Sequence, residues 1–230
     1  MNYLALVNRA RRECGVASSP LATLSGLSTE DSRVATWVAE AWRDLQLHRS
    51  DWQWMRKEFA FNTVAADATY TPTEAGATDM ADWKRDSFRA YLTATGYADE
   101  QVLPFMEWDT FRAMFGFGAQ RTQQARPVVF TIKPDRSLQL GPLPDAIYTI
   151  NGEYYRTLTE LTLTTDDPSA VGNDLPERWH MLIVWMACRS YASYEAASEV
   201  LQRAEVETRR LLQRLEFEQL PTLTSGAPLA

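Results

Sequence analysis

The sequence predicts an α+β fold: a four-helix bundle, its helices near both termini, with an inserted antiparallel β-rich module. Three observations carry this. Apolar residues recur at helical spacing through residues 1–54 and again through 176–219. Residues 55–165 instead alternate at period two between Pro-, Gly- and Asp-rich turns. Neither helical end has enough local partners to bury its stripes, so the two ends must pack together and the middle is an insertion rather than a second domain in series. Residues 220–230 carry no packing pattern and read as a flexible tail.

The elements follow in chain order. Leu4, Val7, Ala10 and Cys14 share one face of a first helix, and Gly15 stands where a left-handed C-terminal cap would. After the polar stretch VASSPLATLSGL, Ser28 and Asp31 form a capping-box pair. Behind it Val34, Val38, Ala41 and Leu45, flanked by Trp37 and Trp42, predict a helix from about Thr29 to Arg49, roughly 30 Å long. KEFAFNTV alternates through Phe59 and Phe61 as a strand, and AADATYTPTEAGATDMAD reads as a loop. SFRAYLT and QVLPFMEW alternate again, the latter as an edge strand or bulge because Pro104 lacks a donor. WDTFRAMFGFG reads as a short helix with Phe111 and Phe115 on one face. PVVFTI and SLQL form a hairpin around the turn KPDR, and AIYTINGEYYRTL forms a longer strand bulged at Gly152. DDPSAVGNDLPERW is a linker, and Pro176 opens a helix bearing Trp179, Leu182, Ile183 and Met186. A break near EAAS precedes a last helix with the stripe Leu201, Ala204, Thr208, Leu211 and Leu215. Its other face offers Glu199–Arg203 and Glu205–Arg209 as i,i+4 pairs.

Composition excludes several function classes. The 230 residues carry a formal net charge of -7, and 45% are hydrophobic. A binder of nucleic acid gains affinity by neutralising phosphates, so this balance argues against one, although it suits a surface past which DNA slides without sticking. The two cysteines, Cys14 and Cys188, form no CxxC pair and read as buried thiols. The N-terminal stretch is interrupted by Arg9, Arg11 and Arg12, unlike a signal peptide, and the apolar run WHMLIVWMA is below spanning length. The expectation is a soluble intracellular protein with no membrane association.

Chemistry is sparse. His48 and His180 sit at predicted helix ends with no carboxylate or thiol at metal-ligand spacing. The acidic pairs Asp99–Glu100 and Asp166–Asp167 lie in polar loops, where nothing splits their pKa values for acid/base work. No nucleophile elbow, phosphate loop or dinucleotide fingerprint occurs. No catalytic residue, cofactor or metal is expected, and the chain does not read as an enzyme. The cations Arg9, Arg11 and Arg12 offer a phosphate contact, but a solvated helix face is the more economical reading, with an intersubunit contact as the other alternative. With 8 Trp, 9 Tyr and 9 Phe, the chain is rich in aromatics suited to either a Trp-rich core or an interface.

The stretch SDWQWMRKEFAF, Ser50 to Phe61, interleaves aromatics with cations. That pattern serves base stacking, or it serves the joint where a helix gives way to a strand. The flanking periodicities favour the joint. Trp52 and Trp54 then lie at a hinge between bundle and β module, with Arg56 and Lys57 as C-terminal helix charges or intersubunit partners.

Three stretches together resemble one family: RVATWVAEAWRDLQLHRSDWQWMRKEF, PDRSLQLGPLPDAIYTINGEYYR and LPERWHMLIVWMACRSYASYEAASEVLQRAE. Their order is similar to that of the head-to-tail adaptor (connector) proteins of tailed bacteriophages, of the tail-tubular or gatekeeper-like kind. The resemblance implies a virion structural protein, made in the host bacterial cytoplasm and placed at the head–tail junction. It implies a homo-oligomeric ring of about twelve copies that docks under the portal protein, extends the DNA channel and gives tail nozzle or fibre proteins a platform. Genomic DNA would pass through without specific binding. In such relatives the helices build the ring wall, a C-terminal segment docks on the portal and the β module faces the tail components. Leu220, Leu223 and Leu229 are the candidates for that docking segment, because they are apolar residues in an otherwise pattern-free end. The alternatives are a DNA-binding regulator using the first two helices, disfavoured by their long linker and the negative charge, and a carbohydrate-binding or -degrading tail-associated protein, disfavoured by the lack of an acid/base pair.

Overall fold

The computed structural model describes residues 1–16, 19–161 and 175–219. Its elements in order are α1 (Tyr3–Cys14), α2 (Thr29–Leu47), β1 (Arg56–Asn62), β2 (Thr69–Tyr70), β3 (Met80–Trp83), β4 (Arg89–Leu92), β5 (Gln101–Val102), α3 (Trp108–Phe115), β6 (Val129–Ile132), β7 (Leu138–Gly141), β8 (Tyr148–Arg156), α4 (His180–Tyr194) and α5 (Ser198–Gln219). Chain contacts divide it into two units: Met1–Met55 with Leu158–Ala230, and Arg56–Thr157 between them. Residues 158–161, counted with the β module by sequence, therefore belong to the helical unit. There the Thr159 amide donates to Gln46 Oε1 on α2 at 3.0 Å, and Gln46 Nε2 returns a bond to Thr159 O at 3.0 Å.

In the helical unit, α4 packs against α1, α2 and α5. Its sequence explains this centrality. His180, Leu182, Ile183, Val184, Trp185, Ala187, Cys188 and Ala192 are all buried, so the helix is apolar around most of its circumference. The α2 stripe is buried as its spacing requires, through Val34, Val38, Ala41 and Leu45, with Trp42 beside it. The Ser28 hydroxyl caps α2 by accepting from the Asp31 amide at 3.1 Å. Gly15 ends α1 at φ 71°, and the Val16 amide donates to Arg11 O at 3.0 Å.

The helices differ from the sequence reading in detail, Met186 and Leu201 being only half-buried. On α1 the buried face runs through Tyr3, Leu6, Val7, Ala10, Arg11 and Cys14, while Leu4 is only half-buried. The Tyr3 hydroxyl donates to Ala35 O on α2 at 2.8 Å, and burial pushes that phenol up to about 12. On α5, Arg203 does not serve Glu199; its Nη2 lies 3.0 Å from Glu13 Oε2 of α1, and Glu13 also takes Arg9 Nη2 at 2.6 Å. A charge shared between two helices outcompetes an i,i+4 neighbour worth only about 0.2–0.5 kcal/mol.

The second unit holds two antiparallel sheets. In the first, β8 is central: β1 pairs along one side, β4 and β3 pair with successive stretches of the other, and β5 extends β4. In the second, β7 lies between β2 and β6. The loop-like stretch at 65–82 thus contributes β2 and the start of β3, and buries Ala68, Tyr70, Ala75, Ala77 and Met80. Its small and polar residues hid this, because each strand is too short to show alternation. Phe59 and Phe61 of β1 face inward as period two demands, joining Trp83, Phe88, Phe130, Leu138, Ile150 and Tyr154 in a single core. Phe88 and Phe130 stack at 3.9 Å between centroids.

Gly152 does not mark a bulge. It sits in uninterrupted register opposite Phe59, and the irregularity falls between Met80 and Asp82 on β3. A side chain at 152 would put its Cβ 3.0 Å from the Phe59 ring, so the glycine admits that ring.

The β6–β7 turn closes through the Arg136 amide donating to Lys133 O at 2.8 Å. The Ser137 hydroxyl and amide donate to Asp135 Oδ1 at 2.7 and 3.0 Å, and these bonds hold the Asp135 carboxyl down at about 2. A depressed carboxyl stabilises the fold above its unfolded value and loses that contribution as pH falls through its folded value. The Asp135 contribution is therefore expected to be complete above about pH 4 and to fade toward pH 2. Carboxyl-carbon NMR titration should place Asp135 near 2, and Ser137→Ala should return it toward the ordinary range. A wild-type midpoint near 4 would refute the assignment.

Candidate interaction sites

The opening of the Ser50–Phe61 stretch is a packed aromatic cluster of the helical unit. Trp52 is 0% exposed, and its Nε1–H donates to Leu45 O at 3.0 Å. Leu45 lies in the last turn of α2, where carbonyls lack an intrahelical donor, so the indole supplies the missing partner. The Trp52 ring stacks near His48 and Trp54, with centroids 6.4 and 6.3 Å away, and Trp54 stacks on Trp42 at 5.4 Å. An indole with no exposed surface has no face to offer a nucleobase.

Arg56 and Lys57 are not helix charges. α2 stops at Leu47, and both cations belong to β1 in the second unit. Their positions depend on where the strand begins, which the aromatic pattern alone leaves open. The Arg56 guanidinium lies 5.7 Å over the Tyr155 ring. Lys57 Nζ donates to Asp79 Oδ2 at 2.6 Å, and the Tyr154 hydroxyl donates to Asp79 Oδ1 at 2.7 Å. Burial works against the Asp79 charge, but the bonds from Lys57 and Tyr154 outweigh it and leave the carboxyl below its usual range. Burial, followed by the Asp79 contact, pushes the Tyr154 phenol up to about 12.

The basic cluster of α1 also divides. Arg11 is buried, not solvated. Its Nε lies 2.6 Å from Asp31 Oδ1, and its Nη1 donates to Ser19 O at 3.0 Å and Asn8 Oδ1 at 3.3 Å. Arg12 remains exposed. The connection between α1 and α2, Gly15–Ser28, far exceeds the three- or four-residue turn of a helix-turn-helix.

Both histidines have partners within the helical unit. His48 ends α2 with Nε2 3.1 Å from Glu216 Oε1. His180 is fully buried, with Nε2 2.9 Å from Leu175 O, and a carbonyl can only accept, so that nitrogen carries the proton. Asp99 is a structural partner: Arg126 Nη1 donates to its Oδ1 at 2.7 Å, which with the Leu92 amide holds the carboxyl low. The Asp166–Asp167 pair and the docking candidates Leu220, Leu223 and Leu229 lie outside the described residues. Among the described residues, no group of three or more His, Cys, Asp or Glu is placed to hold a metal ion, and no helix is long and apolar enough to cross a membrane.

Surface features are more informative. On α5, Phe217 is 88% exposed and borders a hollow of ≈ 610 Å³ with Trp179, Arg210, Gln213 and Arg214. In the second unit, Trp108, Phe111 and Phe115 of α3 line a hollow of ≈ 330 Å³ together with Arg112, Phe117 and Arg121. Tyr97 there is 76% exposed. The sequence reading placed Phe111, Phe115 and Trp179 on helix faces but did not single out Phe217 or Tyr97. Phe217 does carry a signal, since it lies off the Ala204–Thr208–Leu211–Leu215 stripe, beside Arg210, Gln213 and Arg214.

The family model described as SU10 adaptor protein covers residues 1–227, and the chain belongs to that family. No curated protein matches the chain.

Proposed function

We propose, from membership of the SU10 adaptor protein family, that this chain is a structural virion protein at the head–tail junction of a phage. The observation that carries the reading is the family match across residues 1–227. In its finer form, copies of the chain assemble into a ring of about twelve. The ring docks under the portal, extends the DNA channel and provides the platform for tail nozzle or fibre proteins. The four helices α1, α2, α4 and α5 act as a bundle that builds the ring wall, and the inserted β-rich unit meets the tail components.

Several features support this. Head-to-tail contacts need two unlike surfaces on each copy, and exposed apolar side chains occur on both units: Val206 and Phe217 on the helical one, Tyr97, Val102 and Phe117 on the other. The net charge of -7 disfavours gripping a phosphate backbone. The C-terminal Leu220, Leu223 and Leu229 offer apolar anchors for a groove on the portal.

Native mass measurement of the chain alone and with the portal protein of its phage, followed by electron microscopy, tests the reading. A ring that forms with portal is expected, and no complex at micromolar concentrations would overturn it. Truncation after Gln219 should leave the circular dichroism spectrum unchanged and weaken portal binding at least about tenfold. Unchanged binding would remove the tail from the docking surface.

A further inference from the structure

Cys14 and Cys188 are the chain's two cysteines, far apart in sequence, yet their sulfurs lie 3.3 Å apart. Both are free thiols. Cys14 ends α1, and Cys188 lies in the interior of α4, the helix on which α1 packs. The Cys14 thiol donates to the Cys188 sulfur, whose own hydrogen is directed to Ala10 O at 3.9 Å. The Cys14 contact and then burial push the Cys188 thiol far above the usual range, so Cys188 in the closed pair is quiet toward electrophiles.

Ordinary packing is the competing explanation, since a free cysteine behaves as a small hydrophobe. Three features go beyond it. The sulfurs need to approach by only about 1.3 Å to reach bonding distance. Cys14 is 9% exposed against 0% for Cys188, so one member of the pair borders the surface. Cys14 also sits in the last turn of α1, directly before the left-handed Gly15, where helix ends open most readily.

We propose that Cys14 and Cys188 form a dithiol modification site, converted to an intramolecular disulfide by a small-molecule disulfide such as oxidised glutathione. On opening of the last turn of α1, Cys14 gives its proton to water and the thiolate attacks one glutathione sulfur. The glutathione disulfide breaks, one half stays on Cys14 and the other leaves as thiolate, taking up a proton. Cys188 then loses its proton to solvent and attacks the Cys14 sulfur, expelling the second glutathione. Two electrons pass from the protein thiols to oxidised glutathione, which ends as two reduced molecules. The product ties α1 to α4. Only the timing rests on the phage reading: the bond would form after release from the reducing host cytosol.

The test incubates the full-length chain with oxidised glutathione at mildly alkaline pH, followed by acid quench and intact mass measurement. The expected result is a loss of about 2 Da without adduct, reversed by dithiothreitol. A Cys14–Cys188 cross-linked peptide should appear on digestion. The oxidised protein should melt roughly 5–10 °C higher than the reduced one. Neither Cys14→Ser nor Cys188→Ala should show the mass loss. Retained glutathione adducts on the wild type, disulfide-linked dimers, an unraised melting temperature, or thiols that oxidise only in urea would each overturn the proposal. Ring assembly with portal is read separately, so either proposal can fail without the other.

Discussion

Trp52→Ala is expected to destabilise the helical unit by about 3–5 kcal/mol. Three losses combine. The indole is wholly buried, so its removal leaves a cavity that neighbours fill only in part. Its Nε1–H satisfies Leu45 O at the C-terminal end of α2, and that carbonyl would be left without its donor. Its ring also sits beside His48 and Trp54, the latter continuing to Trp42, so the aromatic series is interrupted. Trp52→Phe keeps most of the apolar area and loses the donor, and should cost about 1–2 kcal/mol. Urea unfolding followed by far-ultraviolet circular dichroism separates the two. An alanine variant with an unchanged midpoint would refute the packing argument. Gel shifts on duplex DNA should be equally absent for wild type and variant, since a buried indole has no base-stacking role to lose.

The second large effect is expected at Asp31→Ala, about 3 kcal/mol. Asp31 lies in the first turn of α2, where the helix dipole favours a negative charge. It accepts from the Ser28 hydroxyl at 2.8 Å and pairs with the buried Arg11 guanidinium at 2.6 Å. Without it Arg11 keeps Ser19 O and the Asn8 side chain but carries an uncompensated charge inside the unit. Removing one member of a buried pair costs more than the pair itself contributes. Arg11→Met combined with Asp31→Leu should therefore recover most of the loss, as measured by the urea midpoint. A double variant no more stable than Asp31→Ala would show that the pair contributes more than the avoidance of a stranded charge.

The legible parts of the fold are those governed by neighbours in sequence. Ser28 and Asp31 announce the start of α2, Gly15 announces the end of α1, and Phe59 and Phe61 announce the inward face of β1. The turn at Lys133–Arg136 is set by KPDR. Each rests on local backbone chemistry, a cap, a period or a turn, that needs no knowledge of distant residues. The Trp52–Trp54 stretch was legible as a change from helix to strand, but the strand's starting residue, and so the roles of Arg56 and Lys57, was not. Residues 65–82 read as a loop because two- and four-residue strands are too short to declare a period.

Partnership across the chain is where the sequence falls silent. It determined the order and kind of the main elements, the acidic balance and the absence of familiar catalytic motifs, because propensity, period and composition act within a few residues or sum over all of them. Only the tertiary structure decided that Arg11 is buried against Asp31, that Arg203 reaches Glu13 rather than Glu199, that Gly152 admits a phenyl ring, and that Cys14 meets Cys188. Each of these depends on which helix or strand arrives opposite, and that choice is made by the collective burial of whole faces, a quantity no single stretch of residues contains.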